Sequence, residues 1–132
     1  MDPVADLLTQ LRNGYRARLG FVEVPGSKLK ASIARVLRDS GFIKGFKLVR
    51  DELGMPSLQI QLAYNGATKL PALQGIRRIS KPGLRVYISA EKLQALSGNA
   101  VSIAVVSTSK GVVSSSTAKT MLVGGELLCE VW

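Results

Sequence analysis

Phe21-Val22-Glu23-Val24-Pro25-Gly26-Ser27-Lys28-Leu29-Lys30 is where the chain changes its hydrophobic period. Residues 21–24 alternate and are rich in β-branched side chains, which reads as a short strand. Pro25-Gly26 marks a turn. Ser27 can accept a hydrogen bond from the N–H groups that a helix start leaves open. From there Leu29, Ile33, Val36 and Leu37 recur at helical spacing as an expected buried stripe, which Gly41 stops. A strand that passes directly into an amphipathic helix points to a mixed fold, with helices laid on one face of a sheet.

Upstream, Asp2-Pro3 is a helix opening, with Asp2 as N-cap and Pro3 at the first helical position. Val4, Leu7, Leu8 and Leu11 follow on one face, and Arg12 and Arg16, four apart, share another. Asn13-Gly14 weakens this helix, which ends there or runs on to Arg18. Downstream, residues 42–49 and 57–63 read as strands joined by a loop containing Gly54 and Pro56. The order α-β-α-β-β makes a three-stranded sheet backed by two helices. A polar joint begins at Asn65-Gly66 and ends at Pro71. It is too short for a long linker, so residues 1–66 and 67–132 are expected as two packed subdomains of an α+β fold.

The second subdomain is expected to be mainly β with short helices. A strand at 75–80 leads to a turn at Lys81-Pro82-Gly83. Leu84, Val86 and Ile88 then point one way while Arg85 and Tyr87 point the other. A short helix at 89–96 and a strand at 101–106, buried on both faces, come next. A helix at 114–122 turns Ala118, Met121 and Leu122 inward and stops at Gly124-Gly125, and the last strand covers 126–132.

The chain has 132 residues, 18 Lys plus Arg, 9 Asp plus Glu and no His, for a formal charge of +9. Apolar residues make up 46%, which suits a globular chain and excludes a disordered basic tail. No apolar run approaches the roughly 20 residues of a membrane helix. Met1-Asp2-Pro3 carries no signal pattern, so a cytoplasmic protein without membrane attachment is expected. The absence of histidine removes His-based triads and imidazole ligands. The single cysteine, Cys129, lies in an apolar run and reads as a small hydrophobe. The carboxylates are scattered, and no metal or other cofactor is implied. Ser107-Thr108-Ser109-Lys110 and Ser27-Lys28-Leu29-Lys30 both match S-x-x-K, but the partner motifs that this serine chemistry needs are missing and Gly111 follows Lys110 directly. No enzyme is expected.

The positive excess favours a polyanionic partner. Residues 1–66 carry ten basic and six acidic side chains and residues 67–132 eight and three, so no single tail holds it. Lys28 and Lys30 in the first turn of a helix oppose its dipole, at a cost of about 0.3–1 kcal/mol each, which hints at an anionic ligand there. Ser107-Thr108-Ser109-Lys110-Gly111 lies where a buried strand meets a loop. Its hydroxyls suit the 2′-hydroxyls and base edges of RNA, its lysine a phosphate, and its glycine a close backbone approach. A plain polar turn is the competing reading, and chemistry alone leaves the two level. Tyr87, outward beside Arg85, either stacks on an unpaired base or packs between the subdomains. A serine–lysine hydrolase and a protein-binding adaptor with an incidental basic surface are the rival functions.

Asp2-Pro3-Val4-Ala5-Asp6-Leu7-Leu8-Thr9 with Leu11-Arg12-Asn13-Gly14 resembles the opening of the bacterial small-subunit ribosomal protein family numbered eight. Ser27-Lys28-Leu29-Lys30, Ser80-Lys81-Pro82-Gly83-Leu84-Arg85-Val86-Tyr87, Val105-Val106-Ser107-Thr108-Ser109-Lys110-Gly111 and Gly124-Gly125-Glu126 follow in the family's order, so the resemblance spans the chain. It implies two α+β subdomains and direct binding to the central domain of small-subunit (16S) ribosomal RNA early in assembly. It also implies neighbouring small-subunit ribosomal proteins and, in some bacteria, repression of the protein's own operon messenger. The resemblance assigns Ser107, Thr108, Ser109, Lys110 and Gly111 to the irregular core of an RNA hairpin, with Tyr87, Arg85 and Gly125 at the same surface. It assigns Lys28, Lys30, Arg12 and Asn13 to adjoining RNA. The basic residues that often follow the tyrosine are replaced here by Ile88-Ser89-Ala90-Glu91, and Gly26 stands where a serine is usual.

Overall fold

The structure, a computed structural model, describes residues 2–95 and 102–132. Helix α1 (Pro3–Arg16) begins as its cap dictates: the Asp2 carboxylate accepts from the Val4 N–H at 3.1 Å. Strand β1 (Phe21–Pro25) follows, then helix α2 (Lys28–Asp39), where the Ser27 hydroxyl oxygen accepts from the Lys30 N–H at 3.2 Å. Gly41, at φ +83°, turns the chain away beyond the helix end. Strands β2 (Gly45–Arg50) and β3 (Pro56–Gln61) complete an antiparallel sheet of order β1-β3-β2. Val22, Val24, Leu58 and Ile60 are buried with Leu7, Leu8 and Leu11 of α1 and Ile33 and Leu37 of α2. The expected α-β-α-β-β order is thus present.

One open alternative in this half is settled and one expectation fails. α1 does not end at Asn13-Gly14 but runs on to Arg16, and Gly14 lets it lie close against the sheet: a Cβ there would fall 2.4 Å from Val22 Cγ1. Leu29 is exposed, and the buried place in the stripe goes to Lys30, only 5% accessible. The Lys30 ammonium donates to the Pro25 carbonyl at 2.8 Å, so its stem can be covered while its charge is satisfied at the end of β1.

The second half contains β4 (Ile76–Arg78), β5 (Tyr87–Ile88), helix α3 (Ala90–Ala95), β6 (Ile103–Thr108), β7 (Gly111–Ser114), helix α4 (Ser115–Met121) and β8 (Gly125–Val131). β8 pairs with β4, β5 and β6, and β6 pairs with β7, all antiparallel. Consecutive residues Val105 and Val106 are both fully buried. Val105 joins the main core, while Val106 packs with Leu93 of α3 and Ala118 of α4. The expectation of a strand covered on both faces therefore holds, and the register shifts between these two residues.

Three local expectations here are corrected. Leu84 is exposed because residues 81–84 form a tight turn, bridged from Lys81 to Leu84, and the strand shrinks to Tyr87–Ile88. Leu122 is exposed as well: it takes the left-handed conformation, φ +59°, and caps α4 before Gly124-Gly125 is reached. The segment after Lys110 is a strand, β7, where a loop was expected. Leu96 and Val101, the expected end of one element and start of the next, lie outside the described residues.

The main core draws on both halves, from Val4 and Leu37 to Ile76, Leu128 and Val131. Polar ties cross the same seam. Arg12 donates to the Ile76 carbonyl at 2.7 Å, and Arg78 pairs with Asp2 at 3.1 Å while donating to the Leu128 carbonyl at 2.7 Å. Burial pushes the Asp2 carboxyl up, but the hydrogen bond and charge of Arg78, with the N–H groups of Ala5 and Val4, outweigh it and hold it below its ordinary 3.8. Burial pushes the Cys129 thiol up to about 12, so it behaves as the inert apolar residue expected.

Candidate nucleic-acid interface

β6 and β7 are joined through Ser109-Lys110, and Thr108 opposite Gly111 is the last pair of the hairpin. Gly111 has φ +115°, a conformation that side chains strongly disfavour. The Thr108 hydroxyl donates to the Gly111 carbonyl at 2.8 Å and accepts from the Lys110 N–H at 3.1 Å. Thr108 therefore braces the turn, and Ser109 and Lys110 stand exposed at its tip. Ser107 is half-buried one step behind.

The register links this corner to Tyr87. Tyr87 lies opposite Glu126, and Glu126 lies opposite Ser107. Directly opposed residues of antiparallel strands share a face, so Tyr87 and Ser107 flank Glu126 across two strand spacings, roughly 10 Å. Tyr87 is 69% exposed, which sets aside the reading that packs it between the subdomains. Glu126 is held down rather than free. Its Oε2 accepts from the buried Ser80 hydroxyl and from Arg85 at 3.1 Å, and the Ser80 oxygen accepts from the Val86 N–H at 3.2 Å. The Ser80 hydrogen bond lowers the Glu126 carboxyl below its ordinary 4.5, burial works against this, and Arg85 and Arg78 add to the lowering. The one acid in the row is thereby paired with a cation.

Gly125 positions this surface instead of reaching outward. A Cβ on it would fall 2.1 Å from the Ser107 carbonyl oxygen and 3.1 Å from Thr108 Cα. Only glycine lets β8 run this close under the corner. Ser80 and Glu126 are the organising residues that sequence reasoning left without a role, although both stand inside the motifs that carried the resemblance.

The amino-terminal candidates do not gather at the corner. Arg12 is committed to the seam, and Lys30 to the Pro25 carbonyl. Lys28 is exposed at the start of α2 and Asn13 near the end of α1. Neither S-x-x-K segment can act as a nucleophile pair. Ser107 and Lys110 lie on a hairpin and not a helix, and Ser27 and Lys30 are spent on a cap and a carbonyl. Among the described residues no cluster of His, Cys, Asp or Glu could hold a metal, and no helix is long and apolar enough to cross a membrane.

Fold and site together define a two-sheet α+β binding protein whose prominent surface is a hydroxyl-bearing, basic hairpin. Comparison with known proteins narrows that class. The family model described as ribosomal protein S8 matches residues 2–132. The chain is 46% identical to the small ribosomal subunit protein uS8 of Finegoldia magna over 132 residues, covering 99% of this chain and 98% of the relative. It is 46% identical to that of Citrifermentans bemidjiense and 40% identical to that of Syntrophobacter fumaroxidans, each over 131 residues, 99% of this chain and 97% of the relative. The chain belongs to the ribosomal protein S8 family, a family of structural ribosomal proteins and not of enzymes.

Proposed function

We propose that the protein is a structural constituent of the small ribosomal subunit and binds small-subunit ribosomal RNA directly through the β6–β7 hairpin and the row that joins it to Tyr87. The observation that carries this reading is the register that puts Tyr87 and Ser107 on either side of a neutralised Glu126. Regular A-form RNA hides its major groove, so a corner of hydroxyls and one ammonium reads an irregular stem by shape and exposed edges. Tyr87 stacks on a base displaced from that stem, a contact worth about 1–3 kcal/mol. The other cations of a +9 chain supply a salt-sensitive phosphate term. The cognate stem lies in the central domain of 16S ribosomal RNA, and clamping it early fixes the local RNA fold on which neighbouring ribosomal proteins then assemble. The protein works in the cytoplasm, on the ribosome, and a messenger of its own operon folded like that stem meets the same surface.

The test is ultraviolet crosslinking of the full chain to the central-domain hairpin, followed by mapping of the linked peptides. Crosslinks at residues 107–111 and at Tyr87, with affinity far above that for a regular duplex of equal length, are expected. Equal affinity for the duplex, or crosslinks confined to other peptides, overturns the reading.

A further inference from the structure

The three-stranded sheet has a second face, turned away from α1 and α2. The register places Phe21 opposite Gln61 and Gln61 opposite Gly45; in the next outward row Glu23, Gln59 and Lys47 align. Phe21 is 51% exposed on this face. Beside it lies a shallow concavity of about 420 Å³ lined by Gly20, Phe21, Lys44, Gln59, Gln61 and Leu62. Gly45 contributes no side chain, and the Gln61 amide oxygen lies 3.6 Å from where its Cβ would be, so Gln61 spreads over the opening.

The residue types fit one kind of occupant. An exposed aromatic ring on a sheet gives a base something to stack on. The glutamine amides donate and accept at base edges. Lys44 and Lys47 are exposed cations, and the single acid, Glu23, already accepts from the Ser57 hydroxyl at 2.6 Å. A protein-docking surface would be a contiguous apolar patch, whereas here one ring stands among amides and ammonium groups. The net charge of +9 selects a polyanion, and a concavity this shallow on an open sheet suits unpaired bases instead of a duplex.

We infer that this face is a second nucleic-acid site, which takes an unpaired RNA strand. One base stacks on Phe21, Gln59 and Gln61 meet base edges, and Lys44 and Lys47 meet phosphates. The site is separate from the hairpin corner and does not depend on it.

The experiment titrates the full chain with a fluorescent oligouridylate of about ten nucleotides, a length within the range single-strand sites cover. Phe21→Leu keeps an apolar side chain but removes the ring, and weakens binding roughly tenfold with an unchanged melting curve. Lys47→Gln makes the dependence of log affinity on log salt shallower by roughly 0.7. The double variant Ser109→Ala, Lys110→Ala binds the oligouridylate like the parent chain, so a failure at the corner is read separately. Unchanged affinity in Phe21→Leu, or loss of oligouridylate binding in the corner variant, overturns the inference.

Discussion

Asp2 and Arg78 stand 76 positions apart in the chain and meet at 3.1 Å, with both side chains largely covered. The carboxylate that caps α1 is thus also the anion that fixes β4, so one residue starts a helix and ties the two sheets together. Asp2→Asn retains a capping oxygen and loses only the charge, whereas Asp2→Ala loses both. Urea denaturation should show Asp2→Ala less stable than Asp2→Asn by about 1 kcal/mol. Equal midpoints for the two variants would show that the cap contributes nothing.

Acid should weaken the fold through two carboxyls. Asp2 and Glu126 are both held below their ordinary values of 3.8 and 4.5. A carboxyl that is depressed on folding contributes stability that is fully present above its ordinary value and is lost as pH falls through its native one. Stability from these two groups is therefore level near neutrality and declines as pH drops below about 4.5. Glu126→Gln should flatten the upper part of that decline in a series of denaturation curves. A variant curve parallel to that of the parent chain would contradict the assignment.

Removing the Glu126 charge also tests the row across the second sheet. Glu126→Gln leaves Arg85 without its anion and weakens the anchor that Ser80 donates to. Hairpin affinity should fall because the Arg85–Tyr87 segment loses its fixed position, even though a negative charge has been removed from a surface that binds a polyanion. Tighter binding by the variant would mean that Glu126 acts only by repulsion.

Gly125→Ala forces a methyl group against the Ser107 carbonyl, with backbone on both sides and no flexible side chain to yield. A melting experiment should show destabilisation of at least about 1–3 kcal/mol. Hairpin binding should fall with it. Wild-type stability would require β8 to run further from β6 than the structure has it.

The corner variants separate bracing from contact. Thr108→Ala removes both hydrogen bonds that close the turn, so it lowers stability and affinity together. Ser109→Ala lowers affinity for the cognate hairpin and leaves the melting temperature alone. Lys110→Ala makes the salt dependence shallower by roughly 0.7–0.9, the signature of one lost phosphate contact. No change in binding for either Ser109→Ala or Lys110→Ala would remove the tip from the interface.

Lys28 and Lys30 are close in sequence and different in the fold. Lys30→Ala strips the Pro25 carbonyl of its donor and should cost about 1–3 kcal/mol of stability. Lys28→Ala, which removes a cation from the first turn of α2, should cost nothing and should stabilise by up to about 1 kcal/mol in the same assay. The reverse order would mean that the Lys30 ammonium is not committed to that carbonyl.

Local chemistry makes much of the fold legible in the sequence. Asp2 and Ser27 cap the helices they were expected to cap, because a cap depends on a side chain and the N–H groups two or three residues on. The buried pair Val105 and Val106 was legible from an unbroken apolar run. The failures have two physical origins: Leu84 and Leu122 were decided locally, by a tight turn and a left-handed helix cap, and the others by a neighbouring element of the fold. Gly14 looks like a helix breaker until β1 is seen against it, and Lys30 looks like a surface cation until the Pro25 carbonyl is found beside it. At the corner, the residue types of 107–111 pointed to a polar tip. Spacing along the chain gave no sign that Glu126 would sit between Tyr87 and Ser107, because strand register is set across the sheet. Nor did it separate the hydroxyl that braces the turn from the one that stands free at its tip.

β8 is the common neighbour of β4, β5 and β6, and it follows all three in the chain. During synthesis those strands emerge with their mutual partner still unmade, while the three strands of the first sheet already have their pairing partners among residues 21–61. The first sheet can pair as it appears, though its helices still lack the core residues and polar ties that the second half supplies; the second sheet must wait with open edges until its last strand arrives. A nascent chain arrested before Gly125 would then present the corner residues unsupported and the strand edges bare, a state prone to clumping that chaperones would have to shield.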